Sequence, residues 1–244
     1  MDIKDVLAEF KVIFSIPLPG GRSIAINETI LISWVVMAVL IAAARLLTRN
    51  LRETPKGSQV FLEWAVEFLN KFSREHFGRR AALYGPYIGT VFLFILGANI
   101  IPALSPMALP VFGIEPPFTI KPPTRDINLT AALALVSILL VLAGGLRSRG
   151  LGGWCKNLLK PAPMMLPFNL LEYVMRPASL CLRLFGNILG GFIIMLLIEH
   201  ALPIPVVLPA AASLYFDFID GLIQAVVFAF LTTLFIAEAV GAEA

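Results

Sequence analysis

Residues 180–198 read LCLRLFGNILGGFIIMLLI, and Arg183 is the single charged residue among them. They belong to a longer apolar stretch of some 35 residues, about 164–198. A helix of that length would measure about 50 Å, whereas the hydrocarbon core of a bilayer is about 30 Å thick. The stretch therefore predicts a strongly tilted membrane helix that carries a cation inside it.

The composition of the whole chain also indicates that the lipid bilayer surrounds it. Of its 244 residues, 58% are hydrophobic and only 14% are charged, with a mean hydropathy of +0.86. Soluble domains carry about a quarter charged residues. We therefore predict an all-α polytopic fold, a single membrane domain over 1–244. Its five transmembrane helices are expected at about 29–48, 84–104, 127–146, 164–199 and 206–240. The last two are predicted to form a long, strongly tilted hairpin.

Two further segments have their own patterns. In residues 58–77, Phe61, Trp64 and Phe68 recur at helical spacing among charged residues, which predicts an amphipathic helix at the membrane interface. Residues 105–126 are rich in proline, which indicates an irregular loop on the outer side.

The basic residues predict the orientation. Residues 45–80 hold eight Lys and Arg, and residues 147–160 hold four. By the positive-inside rule both segments are cytoplasmic, which places the N-terminus outside and the C-terminus inside. The first residues include Asp2, Asp5 and Glu9 and do not resemble a signal peptide, so we expect the cell inner (plasma) membrane.

Arg183 is the most informative polar residue. At mid-membrane an arginine costs about 2.5–3.5 kcal/mol on insertion scales, and it cannot deprotonate. A nearby carboxylate, a watery cavity or an internal salt bridge would offset that cost. Helical spacing places Asn187 on the same face, together with the helix-packing candidates Gly186, Gly190 and Gly191.

The last span has a polar stripe of its own. Asp217, Asp220, Gly221 and Gln224 follow at i, i+3, i+4 and i+7, with Gly221 a further packing candidate. Two carboxylates one turn apart repel each other, which favours a proton on one of them. Such a group suits an ion path, although one aspartate could instead pair with Arg183. Secondary candidates are Glu199 and His200 at the outer side and Glu172 and Glu238 at the inner side.

Chemical catalysis has little support in the residues. His76 and His200 are the two histidines, and neither lies in a triad or HExxH pattern, so we expect no metal, no cofactor and no catalytic site in this chain. Cys155 and Cys181 have no metal-ligand spacing and are expected to be free thiols.

Three motifs resemble those of subunit a of F-type ATP synthases. Residues 179–187, SLCLRLFGN, are similar to that family's SLxLRLFGN signature. Residues 123–130, PTRDINLT, resemble the motif that opens its third span, and residues 221–225, GLIQA, resemble its final helix. The resemblance covers nearly the whole chain.

The resemblance implies a stator ion-channel subunit that provides two half-channels to a rotating c-subunit ring. Arg183 would attract each arriving rotor carboxylate and block leakage, with Asn187 and Gln224 lining the same region. The implied partners are the c-ring, the b subunits of the peripheral stalk, the F1 sector and the bilayer, with no nucleic acid. The chain would be an essential part of a proton-translocating ATP synthase.

Two positions depart from the family. Phe192 stands where many members have glutamate, and Asp217 stands where many have histidine. We therefore expect the outer titrating group on Asp217 and Asp220, with Glu199 at the mouth. The residues leave open whether protons or sodium ions are carried. The alternative function is a secondary ion transporter or permease, but the five spans show no convincing internal repeat.

Overall fold

The computed structural model describes residues 12–18, 22–111, 120–159, 163–201 and 214–241. Its strands are β1, Val12–Leu18, and β2, Arg22–Asn27. Its helices are α1, Glu28–Thr48; α2, Ser58–Phe77; α3, Ala81–Val111; α4, Ile127–Leu158; α5, Leu166–Ala201; and α6, Gly221–Val240. Short 3₁₀ turns cover Gly78–Arg80, Pro123–Arg125 and Pro163–Met165, and a π-helical segment covers Leu214–Asp220.

The all-α polytopic prediction is confirmed. Five helical stretches in the described residues are long and apolar enough to cross a membrane. The sequence analysis did not predict the antiparallel hairpin of β1 and β2, in which Leu18 pairs with Arg22. Residues 12–16 and 23–26 are nevertheless rich in β-branched residues on either side of a Pro-Gly-Gly sequence, which is a hairpin signal.

The membrane helices pack into one bundle. Helix α3 packs against α6, while α4 packs against both α5 and α6. The centre is apolar, with Ile95 of α3, Leu180 and Leu184 of α5 and Phe228 of α6 all buried. We call the end with the Pro123–Arg125 turn and the start of α6 the turn end. The opposite end, with Gly78–Arg80 and the C-terminus of α6, is the basic end.

Helix α3 is longer than the predicted span, which ended near residue 104 before the loop 105–126. The structure continues the helix to Val111, through Pro106 and Pro110. Because Pro106 has no N–H, the carbonyl of Pro102 loses its usual helical donor. The Ser105 hydroxyl donates to that carbonyl at 2.7 Å. A local side-chain donor thus replaces the missing backbone hydrogen bond. Residues 112–119, the next part of the predicted loop, lie outside the described residues.

Much of the basic segment 147–160, which lies between two of the predicted spans, is helical. Helix α4 kinks at Gly150, whose φ of 68° and ψ of 167° lie outside the helical region, and then continues to Leu158. Just before the kink, Arg149 Nη2 donates to the carbonyl of Glu238 at 2.9 Å. Arg80 Nη1 donates to the carbonyl of Val240 at 2.6 Å. These two cations cap the last turn of α6, where terminal carbonyls need donors.

Helix α2 has the amphipathic character predicted for it. Ser73 and Phe77 are buried, whereas Phe61, Trp64 and Phe68 are 69%, 60% and 57% exposed. The three exposed rings follow one another with centroids 5.9 and 6.1 Å apart. An exposed aromatic row suits the membrane interface, where Trp and Phe side chains bury an apolar face.

Candidate functional site

Arg183 lies on α5, between apolar neighbours, and its side chain is exposed on this chain. None of the described carboxylates forms an ion pair with Arg183, whereas Arg176 on the same helix pairs with Glu172 and Glu238. The described residues therefore do not support the internal salt bridge that the sequence left open. The sequence analysis also allowed an aspartate of the last span as the partner of Arg183. The side chain of Asp217, one of these two aspartates, lies outside the described residues.

The fold brings Arg183 next to Gln224, although the two residues lie on different helices. A cavity of about 10 Å³ lies between α5 and α6. Its lining consists of Leu180, Arg183, Leu184, Gln224, Val227 and Phe228. Such a volume holds about one water molecule. The predicted cation and the predicted amide thus meet at one place, with apolar side chains around them.

The glycines of α5 divide into two groups. A Cβ atom added at Gly186 or Gly190 would meet nothing within 4 Å, and neighbouring Asn187 is exposed. A Cβ atom added at Gly191 would lie 2.8 Å from Phe216 Cδ1. Gly191 therefore serves helix packing inside the chain. The Gly186 and Gly190 face, next to Arg183, is left open by the described residues.

The polar stripe of the last span is only partly α-helical. Gln224 Nε2 donates to Asp220 Oδ1 at 3.4 Å, as expected one α-helical turn apart. Residues 214–220, however, form a π-helix, which takes more residues per turn. The assumption that Asp217 lies one α-helical turn before Asp220 is therefore wrong. The role of Asp217 remains a prediction, because its side chain is outside the described residues.

The secondary candidates fall at the two ends. Glu172 and Glu238 both accept from Arg176 Nη2, at 2.6 and 2.7 Å. The Arg176 side chain is only 12% exposed and lies over the Phe235 ring, 4.8 Å from its centroid. The cation ties α5 to α6 at the basic end, so both acids already have a counter-charge. Glu199 and His200 lie at the end of α5, with side chains outside the described part.

The sequence analysis missed a buried polar cluster at the turn end. Thr124 Oγ1 donates to Asn99 Oδ1 at 2.7 Å, and Asn99 Nδ2 donates to the carbonyl of Ile95 at 2.8 Å. Asn99 and Thr124 are 2% and 0% exposed. Asp126 Oδ1 accepts from the backbone N–H of Asn128 at 2.9 Å, which caps the start of α4.

Arg125 is the cation of this cluster. Its side chain is 7% exposed, and its Cζ atom lies 3.4 Å from the centroid of the Phe192 ring on α5. Burial lowers the pKa of Arg125, but an arginine starts so high that it remains charged at neutral pH. The available signal was its position in the motif of residues 123–130.

The described residues offer little for metal or thiol chemistry. The described residues contain no group of three His, Cys, Asp or Glu side chains that could hold a metal ion. Cys155 is an exposed free thiol, and Cys181 is a half-buried one, 3.5 Å from Thr130 Oγ1. His76 packs against Phe72 with ring centroids 4.5 Å apart, which indicates a role in packing.

Comparison with known proteins gives concordant results. Residues 30–237 match the family described as ATP synthase A chain. The chain is 34% identical over 250 aligned positions to the sodium ion specific ATP synthase subunit a of Propionigenium modestum, covering 95% of this chain and 85% of that one. It is 36% identical over 222 positions to ATP synthase subunit a of Moorella thermoacetica, covering 88% and 91%.

Proposed function

Because the chain belongs to the family of ATP synthase A chains, a membrane-embedded subunit of that enzyme, we propose that it forms the stator half of its ion path. It would provide two half-channels, one open to each side of the membrane, that meet a rotating ring of c subunits. Ion flow between them would turn the ring and drive ATP synthesis.

The observation that carries this proposal is the environment of Arg183. An exposed arginine in an apolar membrane helix is costly, and none of the described carboxylates compensates it. The open glycines Gly186 and Gly190 leave room beside it for another helix. A c subunit that carries a carboxylate at the same depth would supply both the missing charge and the missing packing.

The same charge would separate the half-channels. A proton that crosses the membrane gains about 2.3 kcal/mol per 100 mV, and this energy drives rotation only if the proton travels on the rotor. A permanent cation at the boundary repels bare protons, and lysine would be a poorer barrier because it can deprotonate. Gln224, which lines the cavity beside Arg183, would orient the arriving carboxyl group.

The two ends of the bundle suit opposite sides of the membrane. The basic end holds the Lys and Arg segments and would be cytoplasmic, with the N-terminus outside and the C-terminus inside. The polar cluster at the turn end would then face the outer half-channel. Helix α5 has 36 residues, a length of about 54 Å, and would have to tilt to remain in the bilayer. The b subunits and the F1 sector would be further partners.

Substitution of Arg183 tests the function. In membranes that contain the complete synthase, Arg183→Ala should abolish ATP-driven ion pumping, whereas ATP hydrolysis by the detached F1 sector should persist. Arg147→Ala, at an exposed residue of the basic end, is the matched control and should pump at the parental rate. Coupled pumping by the Arg183 variant would refute the assignment. Purification without a ring of small subunits would instead favour a permease.

The transported ion has two candidates. A proton is the first, because carboxyl groups on the π-helical segment and at the start of α6 can carry one. Sodium is the second, because the Propionigenium modestum relative is named sodium ion specific. ATP-driven ²²Na⁺ uptake into inverted vesicles, with and without a protonophore, separates them. Direct sodium pumping persists with the protonophore, whereas proton pumping does not.

The outer titrating group is assigned to the last span. Asp220 is half-buried next to Gln224, and Asp217 lies three residues earlier on the π-helical segment. We propose that these carboxyl groups pass the ion from the outer side to the rotor. Asp217→Asn/Asp220→Asn membranes should therefore pump far more slowly than the parent. A parental rate would refute this assignment but would leave the role of Arg183 standing.

A further inference from the structure

We propose that the interior of the bundle binds one water molecule, which joins α4 to α6 through the hydroxyl groups of Ser137 and Thr232. The inference goes beyond the proposed function, because it concerns how the helices are held together and not how the ion moves. It assigns a ligand to a buried place between Arg183 and the basic end.

A cavity of about 10 Å³ lies between α4, α5 and α6. Its volume is that of about one water molecule. Each helix contributes a polar residue to the lining: Ser137 of α4, Arg176 of α5 and Thr232 of α6. Leu180 lines this cavity and also the one beside Arg183, so the two cavities are neighbours along α5. The water-sized space is therefore partly polar, unlike cavities that stay dry.

The hydroxyl group of Thr232 requires a partner. Thr232 is 0% exposed, and its Oγ1 atom makes no hydrogen bond to any described residue. The adjacent Thr233 is 0% exposed as well, but its hydroxyl donates to the carbonyl of Ala229 at 2.7 Å, a common bond for threonine inside a helix. A buried hydroxyl without a partner is costly, so such groups are bonded to protein or to ordered water. Because Thr232 lines the water-sized cavity, water is the partner that fits.

Ser137 has the capacity for a bond on the other side of the cavity. Its hydroxyl donates to the carbonyl of Leu133 at 2.9 Å. The hydroxyl of Tyr87, on α3, lies 2.8 Å from Ser137 Oγ and donates to it, since the hydrogen of the serine is already engaged. A hydroxyl oxygen can accept two bonds, so one lone pair of Ser137 remains. A water that donates to Ser137 and bonds to Thr232 completes a chain of hydrogen bonds from α3 through α4 to α6.

The lining favours water over a metal cation. A cation in a dry interior is tolerated where negative charge or several oxygen ligands surround it. The two hydroxyl groups are neutral, and Arg176 adds a positive charge. Other lining side chains, such as Ile138 and Phe235, are apolar. A neutral ligand that both donates and accepts hydrogen bonds suits this lining.

Thr232→Val tests the site, because valine keeps the shape of threonine and removes its hydroxyl. The detergent-solubilised complete synthase is heated, and immunoblotting measures the temperature at which half of this subunit becomes insoluble. If the water is bound, Thr232→Val loses its hydrogen bonds, and this temperature should fall by about 2–4 °C. If the cavity is dry, the same substitution removes an unsatisfied hydroxyl, and the temperature should rise. An unchanged or raised temperature would overturn the proposal.

Thr233→Val is the matched control. It changes the next residue of the same helix, which is equally buried but has its hydroxyl satisfied within the helix. Its half-insolubility temperature should stay close to that of the parent. A fall equal to that of Thr232→Val would show that any valine in this turn is harmful and would also overturn the proposal.

A direct observation decides the matter if the variants are not incorporated. A cryo-EM map of the parental synthase, at a resolution that shows ordered waters, should contain a density within hydrogen-bond distance of both Ser137 Oγ and Thr232 Oγ1. The absence of that density from a map that shows other buried waters would refute the site. In Thr232→Val the density should be lost while the surrounding helices keep their positions.

Discussion

Gly186 and Gly221 provide a test of which face of the hairpin belongs to a partner. Both are glycines of membrane helices, but their surroundings in this chain are opposite. A Cβ atom at Gly186 would meet nothing within 4 Å, whereas one at Gly221 would lie 2.8 Å from Asn99 Cβ. We therefore expect Gly186→Leu to damage the assembled motor and Gly221→Ala to damage the subunit itself.

The magnitudes follow from these distances. Carbon atoms in contact prefer about 3.5–4.0 Å, so an alanine at 221 requires α3 and α6 to separate by about 1 Å. Overpacking of this kind costs about 1–3 kcal/mol. At position 186 the Cβ atom of a leucine has no described atom of another element within 4 Å, and the substitution removes the helix penalty of glycine, about 0.8–1 kcal/mol. The subunit should therefore be as stable as the parent or slightly more so.

The assay has two readouts in the same membranes. Immunoblotting measures how much subunit survives, and copurification of the c subunit with ATP-driven pumping measures the working interface. Gly186→Leu should give parental subunit levels with pumping lost, and Gly221→Ala should give reduced levels. Gly152→Leu is the matched control, because Gly152 is also open but lies in the basic segment. Parental pumping by Gly186→Leu would refute the view that the rotor packs on this face.

Three further predictions follow from single contacts. Replacing Asn99 by Ala or Thr124 by Val should each lower stability by about 1–3 kcal/mol, and the double variant should cost less than the sum. Differential scanning calorimetry of the detergent-solubilised complex measures these losses of stability. Strictly additive losses would contradict the hydrogen bond between Asn99 and Thr124. Arg176→Ala should open the basic end of the α5–α6 hairpin and increase proteolysis there, whereas Arg176→Lys should open it less. Equal proteolysis in parent and both variants would show that the bridge has no structural role. Ser105→Ala should destabilise the end of α3 by about 1 kcal/mol, detected as faster local hydrogen exchange than in the parent.

The lengths of the apolar runs, and the charged residues inside them, made much of the fold predictable. A run such as 180–198 has no soluble alternative, because nothing else shields so many apolar side chains from water. The extension of α3 to Val111 was not predictable by the same means. Proline normally ends a helix, and its acceptance here depends on a hydroxyl that satisfies the carbonyl of Pro102.

The polar residues of the candidate site were predictable where the sequence of a single helix reveals them. They were not predictable where their role depends on contacts between several elements. Arg183 and Gln224 were identified from their cost in an apolar span, and the structure places them at one cavity. Arg125 was not, because its significance comes from Phe192, 67 positions away on α5. The π-helical segment was also invisible, since one extra residue per turn changes which side chains share a face without changing composition.

The two arginines differ in their surroundings, since the chain encloses Arg125 but leaves Arg183 exposed. This difference supports a partner on the face that carries Arg183. Arg125 is enclosed, with an aromatic ring against its planar face and a turn held by hydrogen bonds on either side. Arg183 is exposed beside glycines that meet nothing, and among the described residues its surroundings offer an amide and apolar side chains but no carboxylate. A cost of about 2.5–3.5 kcal/mol for an arginine at that depth has to be offset from outside the described chain. A fixed partner with a permanent salt bridge would offset it but would hold the arginine occupied. A series of moving carboxyl groups offsets it equally well and leaves the arginine free to release each one in turn, which is what an ion-driven rotor needs.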